Sequence, residues 1–274
     1  MAQKTGRSWT DITWNPLVGC SKVSSGCSRA QPFRWKKATR IFVNSRSDVF
    51  AAQEHEVAAI FAVAAGCPQH TFQILTERPE IMHRMLTAPE LQGGIKEDIL
   101  NEAWRLSHIH MFTSQYPWPL KNVWLGVSIE SREHLVRLDY LRETPAAVRF
   151  VNFKPLLEDL GDLSEWLGLK HCAHYPGQET CAICRSQQRG MLDWAILGGE
   201  SGPKARMCNV TWRRSVLSQL QAAGVATWVQ QLGSNAWPDN TGVYPEHGRL
   251  QLRSRAGTDQ AASPAELRAQ QCPG

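Results

Sequence analysis

Short apolar runs recur along this chain, each followed by a polar cluster and then by a segment with helical spacing. The runs lie at 39–43, 71–75, 123–127, 148–153, 194–197 and 225–229. Runs of that length and character are strands covered on both faces. Helices are expected between them at 53–65, 80–86, 95–106, 133–142 and 211–222. In the first, Val57, Ile60, Phe61 and Ala64 share one face, and Gly66 and Pro68 stop it. Strand, polar turn and helix, repeated six or seven times, is the signature of a parallel α/β fold. Such folds build their sites at the carboxyl ends of the strands. The spacing by itself does not separate a barrel from an open sheet.

Composition narrows the class. Hydrophobic residues make up 42% and charged residues 20% of the 274 residues, as in an ordinary globular protein. No apolar run approaches the ~18 residues of a membrane span. The first ten residues are polar, so no secretory signal is read there and a cytoplasmic location is expected. In a reducing compartment the eight Cys are metal ligands or free thiols, not a disulfide framework. A net charge of +5 permits nucleic-acid contact without arguing for it. Most of the eleven Trp are expected in core packing.

The stretch from Trp14 to Trp35 carries two glycine–cysteine pairs, Gly19-Cys20 and Gly26-Cys27, in a short polar loop. Thiolates leaving a strand end on a Gly-rich loop can converge on one metal, and thiolate ligation favours an iron–sulfur cluster or zinc. Two free thiols are the plain alternative. With its Trp14-Asn15-Pro16 opening, the stretch resembles the start of a phage- and prophage-borne family of uncharacterised, radical-SAM-like proteins. Members carry a third Cys where this chain has Ala30, followed by Tyr-Ala. Here the chain runs straight into Gln31-Pro32-Phe33-Arg34-Trp35.

The resemblance spans roughly residues 9–237 and includes Phe42-Val43-Asn44-Ser45, Leu75-Thr76 with Arg78-Pro79, Leu125-Gly126-Val127-Ser128, Pro155-Leu156-Leu157 and Gly198-Gly199-Glu200-Ser201-Gly202. It implies a partial (β/α) barrel of the radical-SAM type. It further implies cofactor contacts from Cys20, Cys27, Asn44, Ser45, Ser128, Gly198, Gly199 and Glu200. Asp48, Glu130 and Glu200 are the catalytic candidates. Relatives carry Lys at Glu77, Glu at Lys154, and Lys-Gln-Trp-Gly at Gln230-Gln231-Leu232-Gly233. In an intact member, three Cys would hold a 4Fe–4S cluster that binds S-adenosylmethionine, and reductive cleavage would yield a 5′-deoxyadenosyl radical. A Gly-Gly-Glu segment would touch the amino group of that cofactor, although in relatives it follows an earlier strand. A glycine turn at a helix entrance can instead cradle a phosphate or carboxylate.

A second Cys-rich segment, 169–189, interrupts the strand–helix repeat. Cys172, His174, Cys181 and Cys184 give four N/S donors in thirteen residues, a spacing suited to tetrahedral zinc. A loop with spare thiols is the alternative. Residues 1–237 therefore read as one α/β domain with a zinc-knuckle insert, and 238–274 as a tail, disordered from about Arg253. Cys67 and Cys208 are expected to be packing residues, and Cys272 an exposed thiol.

Three functions compete. One is a degenerate radical-SAM-like protein that assembles no competent cluster. Another is an active enzyme with a non-standard third ligand. The last is a nucleic-acid-associated phage accessory protein.

Overall fold

The computed structural model describes residues 2–4, 8–17, 31–87, 118–167, 192–237 and 268–273. The thiols at Cys20, Cys27, Cys172, Cys181 and Cys184, together with His174 and Ala30, lie outside them. So does the helix expected at 95–106. The chain divides into two compact units, Met1–Val127 with Glu143–Val148, and Ser128–Arg142 with Arg149–Gly274.

The first unit is a sheet of β1 (Ala2–Lys4), β2 (Ile12–Trp14), β3 (Arg40–Val43), β4 (Thr71–Thr76) and β5 (Val123–Ser128). Strand β1 is antiparallel to β2. The pairs β2–β3, β3–β4 and β4–β5 are parallel. The register aligns Trp14 with Val43, Val43 with Ile74, and Ile74 with Leu125, so one face is apolar from strand to strand. All four side chains are buried. Helix α1 (Glu54–Ala65) joins β3 to β4. Gln53 and Glu56 form its capping box, with the Gln53 amide donating to Glu56 Oε2 at 3.2 Å. Nine of its twelve residues are buried, so the helix is covered well beyond the expected stripe. Gly66 ends it. A Cβ there would lie 2.7 Å from Phe33 Cε1, so the glycine makes room for the ring. Asn122 Nδ2 then donates to the carbonyls of Ala64, Cys67 and His70, tying the helix end to the approach to β5. Helix α2 (Pro79–Thr87) follows β4.

The second unit pairs β6 (Val148–Phe153), β7 (Trp194–Gly198) and β9 (Ala226–Gln231), all parallel. The segment expected as one helix at 133–142 is a 3-10 turn, Arg132–His134, followed by helix α3 (Arg137–Glu143). The short helix α4 (Ser164–Leu167) follows β6. Helix α5 (Val210–Ala222) runs between β7 and β9. Asn209 caps it, with Oδ1 accepting from the Thr211 amide at 2.8 Å and the Thr211 hydroxyl at 2.7 Å. Gly224, at φ +72, closes it while the Val225 amide reaches back to the Leu220 carbonyl. Two short strands, β8 (Cys208–Asn209) and β10 (Ala236–Trp237), pair parallel.

Both units thus show the α/β class and the parallel (β/α) order that the spacing implied. The strand at 12–14 escaped the sequence reading, because three residues are too few to show a period. At the other terminus, residues 268–273 lie along β9 and are not part of a disordered tail. The Val229 amide donates to the Ala269 carbonyl and the Gln271 amide to the Thr227 carbonyl, both at 2.8 Å. Trp194 Nε1 donates to the Gln271 carbonyl. Cys272 is half-buried there, while Cys67 and Cys208 are buried, as expected of packing residues. Among the described residues no helix is long and apolar enough to cross a membrane.

Candidate functional site

In the first unit the polar cluster stands at the carboxyl ends of β2, β3 and β4. The Asn44 amide donates to the Trp14 carbonyl at 2.7 Å, so β3 ends beside the strand from which the Cys20 loop departs. Asn44 sits at φ +60, a left-handed conformation that Asn tolerates better than most side chains. Its Nδ2 donates to Ser47 Oγ at 2.8 Å, whereas its buried Oδ1 has no hydrogen-bond partner among the described residues. The Ser45 hydroxyl donates to Asn15 Oδ1 at 3.3 Å. Asn44, Ser45 and Asn15 therefore do come together at one edge.

Asp48 belongs to the same edge, but its oxygens are committed. Oδ1 accepts from the Phe50 amide at 2.9 Å and Oδ2 from the Glu77 amide at 2.8 Å. The Thr76 hydroxyl lies 2.8 Å from both oxygens. The carboxylate caps the 3-10 turn at Val49–Ala51 and ties the end of β3 to the end of β4. This geometry makes Asp48 a structural connector. Arg78 enters the cluster by its backbone, its amide donating to Thr76 Oγ1.

In the second unit, Glu130 lies between two basic side chains. Its Oε2 is 3.2 Å from Arg137 Nη1 and 3.1 Å from His134 Nδ1. Arg137 Nη1 also donates to the Ser128 carbonyl at 2.7 Å. Ser128 thus contributes a carbonyl that anchors the Arg137–Glu130 pair, while its side chain is buried. At the end of β6, Lys154 crosses the end of β7 and donates to Gln230 Oε1 at 3.0 Å. Gly198 permits that crossing, since a Cβ there would lie 2.7 Å from Lys154 Cδ. On the same strand Asn152 is buried, and its Oδ1 has no hydrogen-bond partner among the described residues.

The Gly198–Gly202 turn is clasped from both sides. The Gly199 amide donates to the Gln231 carbonyl at 3.1 Å and the Ser234 amide to the Glu200 carbonyl at 2.9 Å. Gln231 Nε2 donates to the Gly199 carbonyl and to Ser201 Oγ. At Gly199 a Cβ would lie 2.2 Å from the Leu232 carbonyl oxygen and 2.7 Å from Arg213 Nη2. Glu200, the carboxylate of the Gly-Gly-Glu segment, is held by Arg206. Oε2 accepts from the Arg206 amide at 2.8 Å and Nε at 2.9 Å, and Oε1 accepts from Nη2 at 3.0 Å. These hydrogen bonds hold the Glu200 carboxyl below its usual range and raise the Arg206 guanidinium.

Under the turn lies Arg213, fully buried on α5. Its Nη1 donates to the Gln231 carbonyl at 2.7 Å, and the guanidinium also interacts with the buried Cys208 side chain. Burial lowers its pKa. Among the described residues no group of three or more His, Cys, Asp or Glu is arranged to hold a metal ion.

The family model for a protein of unknown function, DUF5131, matches residues 29–261. The chain belongs to the DUF5131 family. The match takes in every strand-end residue from Asn44 to Gln231 and begins after Cys20 and Cys27. No curated protein and no solved structure matches the chain. Sequence reasoning singled out Glu200, Lys154 and Gln230 in this DUF5131 chain but missed Arg206 and did not pair Lys154 with Gln230. It also missed His134, Arg137 and Arg213. An Arg on a helix carries no mark of burial in the sequence, so Arg213 had no signal to find.

Proposed function

We propose that this chain is a radical-SAM-like α/β protein that lacks a competent cluster site and serves as a ligand-binding protein at its strand ends. The observation that carries the reading is the Glu200–Arg206 fork. The resemblance gives the Gly-Gly-Glu carboxylate the task of meeting the amino group of S-adenosylmethionine. Here three hydrogen bonds from Arg206 already occupy it. An incoming ammonium would have to displace a bidentate guanidinium, one of the stronger side-chain pairings.

The donor set agrees. Cys20 and Cys27 supply two thiols and position 30 is Ala, which does not suit a cluster that needs three protein thiolates. No radical step is therefore assigned to these residues. The phage association of the resembling family offers a setting for such a protein. Cys172, His174, Cys181 and Cys184 remain a good donor set for one structural zinc.

The test is metal analysis of anaerobically purified protein, with iron, sulfide and zinc measured together, followed by incubation with S-adenosylmethionine and a reductant. The expected result is about one zinc per chain, as the tetrahedral donor set requires, with no iron and no cofactor cleavage. Iron and sulfide near four each, with 5′-deoxyadenosine formed, would overturn the reading and identify an enzyme with another third ligand.

A further inference from the structure

One face of β4 is apolar, with Phe72 and Ile74 buried beside Ile41 and Val43 of β3 and Val123 and Leu125 of β5. The opposite face carries Gln73. The register sets Thr13, Phe42, Gln73 and Trp124 in one row across four parallel strands. Gln73 is 0% exposed, and neither Oε1 nor Nε2 has a hydrogen-bond partner among the described residues. An amide that gives up water and gains no partner destabilises the fold, and an apolar side chain of the same size would not. The face is not sealed along its length. Leu75, the next residue on it toward the carboxyl end, is half-buried, and so is Trp124. Gly126, level with Leu75 on β5, adds no side chain there.

We propose that this face of the first sheet binds a nucleobase of the lactam type, such as uracil or hypoxanthine, with the Gln73 amide reading its edge. A lactam sets a ring N–H beside a carbonyl. Gln73 Oε1 accepts from that N–H and Nε2 donates to the carbonyl, so one ligand edge satisfies both buried atoms. Phe42 and Trp124 flank Gln73 from the neighbouring strands, two strand spacings or about 10 Å apart. That gap admits one planar ring between the two aromatic side chains. Phe42 is itself braced by Trp9, with ring centroids 5.1 Å apart at an interplanar angle of 78°. No member of the row is charged, which suits a neutral ring. Adenine fits less well. Its exocyclic amine brings two N–H groups, and Gln73 Oε1 takes one of them in this aromatic-lined row. An N–H buried without an acceptor is rarer than an under-used carbonyl.

The inference goes beyond the binding reading above by naming a ligand class, and the two fail separately: iron and sulfide content tests the cluster, while nucleoside titration tests Gln73.

The experiment is calorimetric titration of the purified full chain with uridine and inosine, which carry the lactam edge. Adenosine and uridine methylated at its ring N–H are the contrasts. Saturable binding of uridine or inosine is expected, about tenfold or more tighter than either contrast, since each contrast lacks the paired edge. Gln73→Leu should weaken that binding by a similar factor while raising the urea midpoint, because an unpaired amide gives way to an apolar group. The methylated nucleoside needs no variant, so the comparison stands even where Gln73→Leu does not fold. An absence of saturable binding by both uridine and inosine would overturn the proposal, leaving Gln73 to ordered water. So would equal binding of adenosine or of the methylated uridine, or unchanged binding in a folded Gln73→Leu protein.

Discussion

Replacing Asp48 by Asn tests whether that carboxylate is a reacting group or a fastener. The two side chains have the same shape, but Asn has one acceptor oxygen and one donor nitrogen. If the oxygen takes the Oδ1 place, it keeps the Phe50 amide at 2.9 Å. The new NH2 then faces the Glu77 amide at the 2.8 Å now spanned by a hydrogen bond. Donor meets donor, and a backbone N–H loses its acceptor. The flipped amide merely moves the same loss to Phe50. The Thr76 hydroxyl, 2.8 Å from both oxygens, can turn to whichever oxygen remains. One charge-assisted bond is therefore lost outright, at about 1.5–3 kcal/mol. The Glu77 bond is at the surface, where water substitutes, so the lower half of that range applies if the oxygen keeps the Phe50 side. Asp48→Ala removes both backbone acceptors and should cost roughly twice as much. The assay is urea unfolding followed by tryptophan fluorescence, with hydrogen exchange at the Phe50 and Glu77 amides to localise the change. Faster exchange at one of these amides with a lowered midpoint is the expected outcome. An unchanged midpoint and unchanged exchange in Asp48→Asn would refute the fastening role and return Asp48 to the catalytic candidates.

Asn122→Ala strips the donor from the Ala64, Cys67 and His70 carbonyls and should destabilise the first unit by about 1–3 kcal/mol, read as a shift in the urea midpoint. Gly199→Ala forces a Cβ to 2.2 Å from the Leu232 carbonyl oxygen, so the clasped turn must move; a cost of about 1–3 kcal/mol or more is expected in the second unit, and a neutral result would contradict the packing. The Glu200 carboxyl is held below its usual range, so its contribution to stability is complete at neutral pH and is lost as pH falls through the folded-state value. Arg206→Gln should bring the Glu200 carboxyl back toward the ordinary range by carbon NMR titration and abolish that part of the acid-side slope. Burial pushes the Cys67 thiol up to about 12, so folded protein holds this proton where unfolded chain releases it. Stability should therefore fall as pH rises above the ordinary thiol range, less so in Cys67→Ala, and native Cys67 should resist maleimide labelling as mapped by mass spectrometry.

The α/β class was legible because burial on both faces writes itself into short apolar runs. Strands β3 through β7 and β9 lie within a residue or two of where those runs predicted them. Helices α1 and α5 were legible for a related reason, since a helical period and a glycine stop survive in one dimension: Gly66 after α1 and Gly224 after α5. Polar residues at strand ends marked the candidate edge in each unit, and Asn44, Ser45 and Asp48 were found that way. Their duties were not legible. Whether a carboxylate is spent on backbone amides, as at Asp48, or on a guanidinium six residues on, as at Glu200, depends on how the chain turns after each strand. The same is true of the helix expected at 133–142, which breaks before Arg137, whose side chain reaches Glu130 and the Ser128 carbonyl.

The sequence by itself determined the repeat of strands and helices, the two thiols and Ala30 of the first Cys loop, and the donor set of the second. Those are matters of covalent chemistry and of hydrophobic period, and both can be read along a line. Only the tertiary structure decided that Arg213 is buried beneath Gly199 and that Lys154 crosses Gly198 to reach Gln230. It also laid residues 268–273 along β9. A charge acquires its meaning from the dielectric and the partners around it, and those are set by residues distant in the chain.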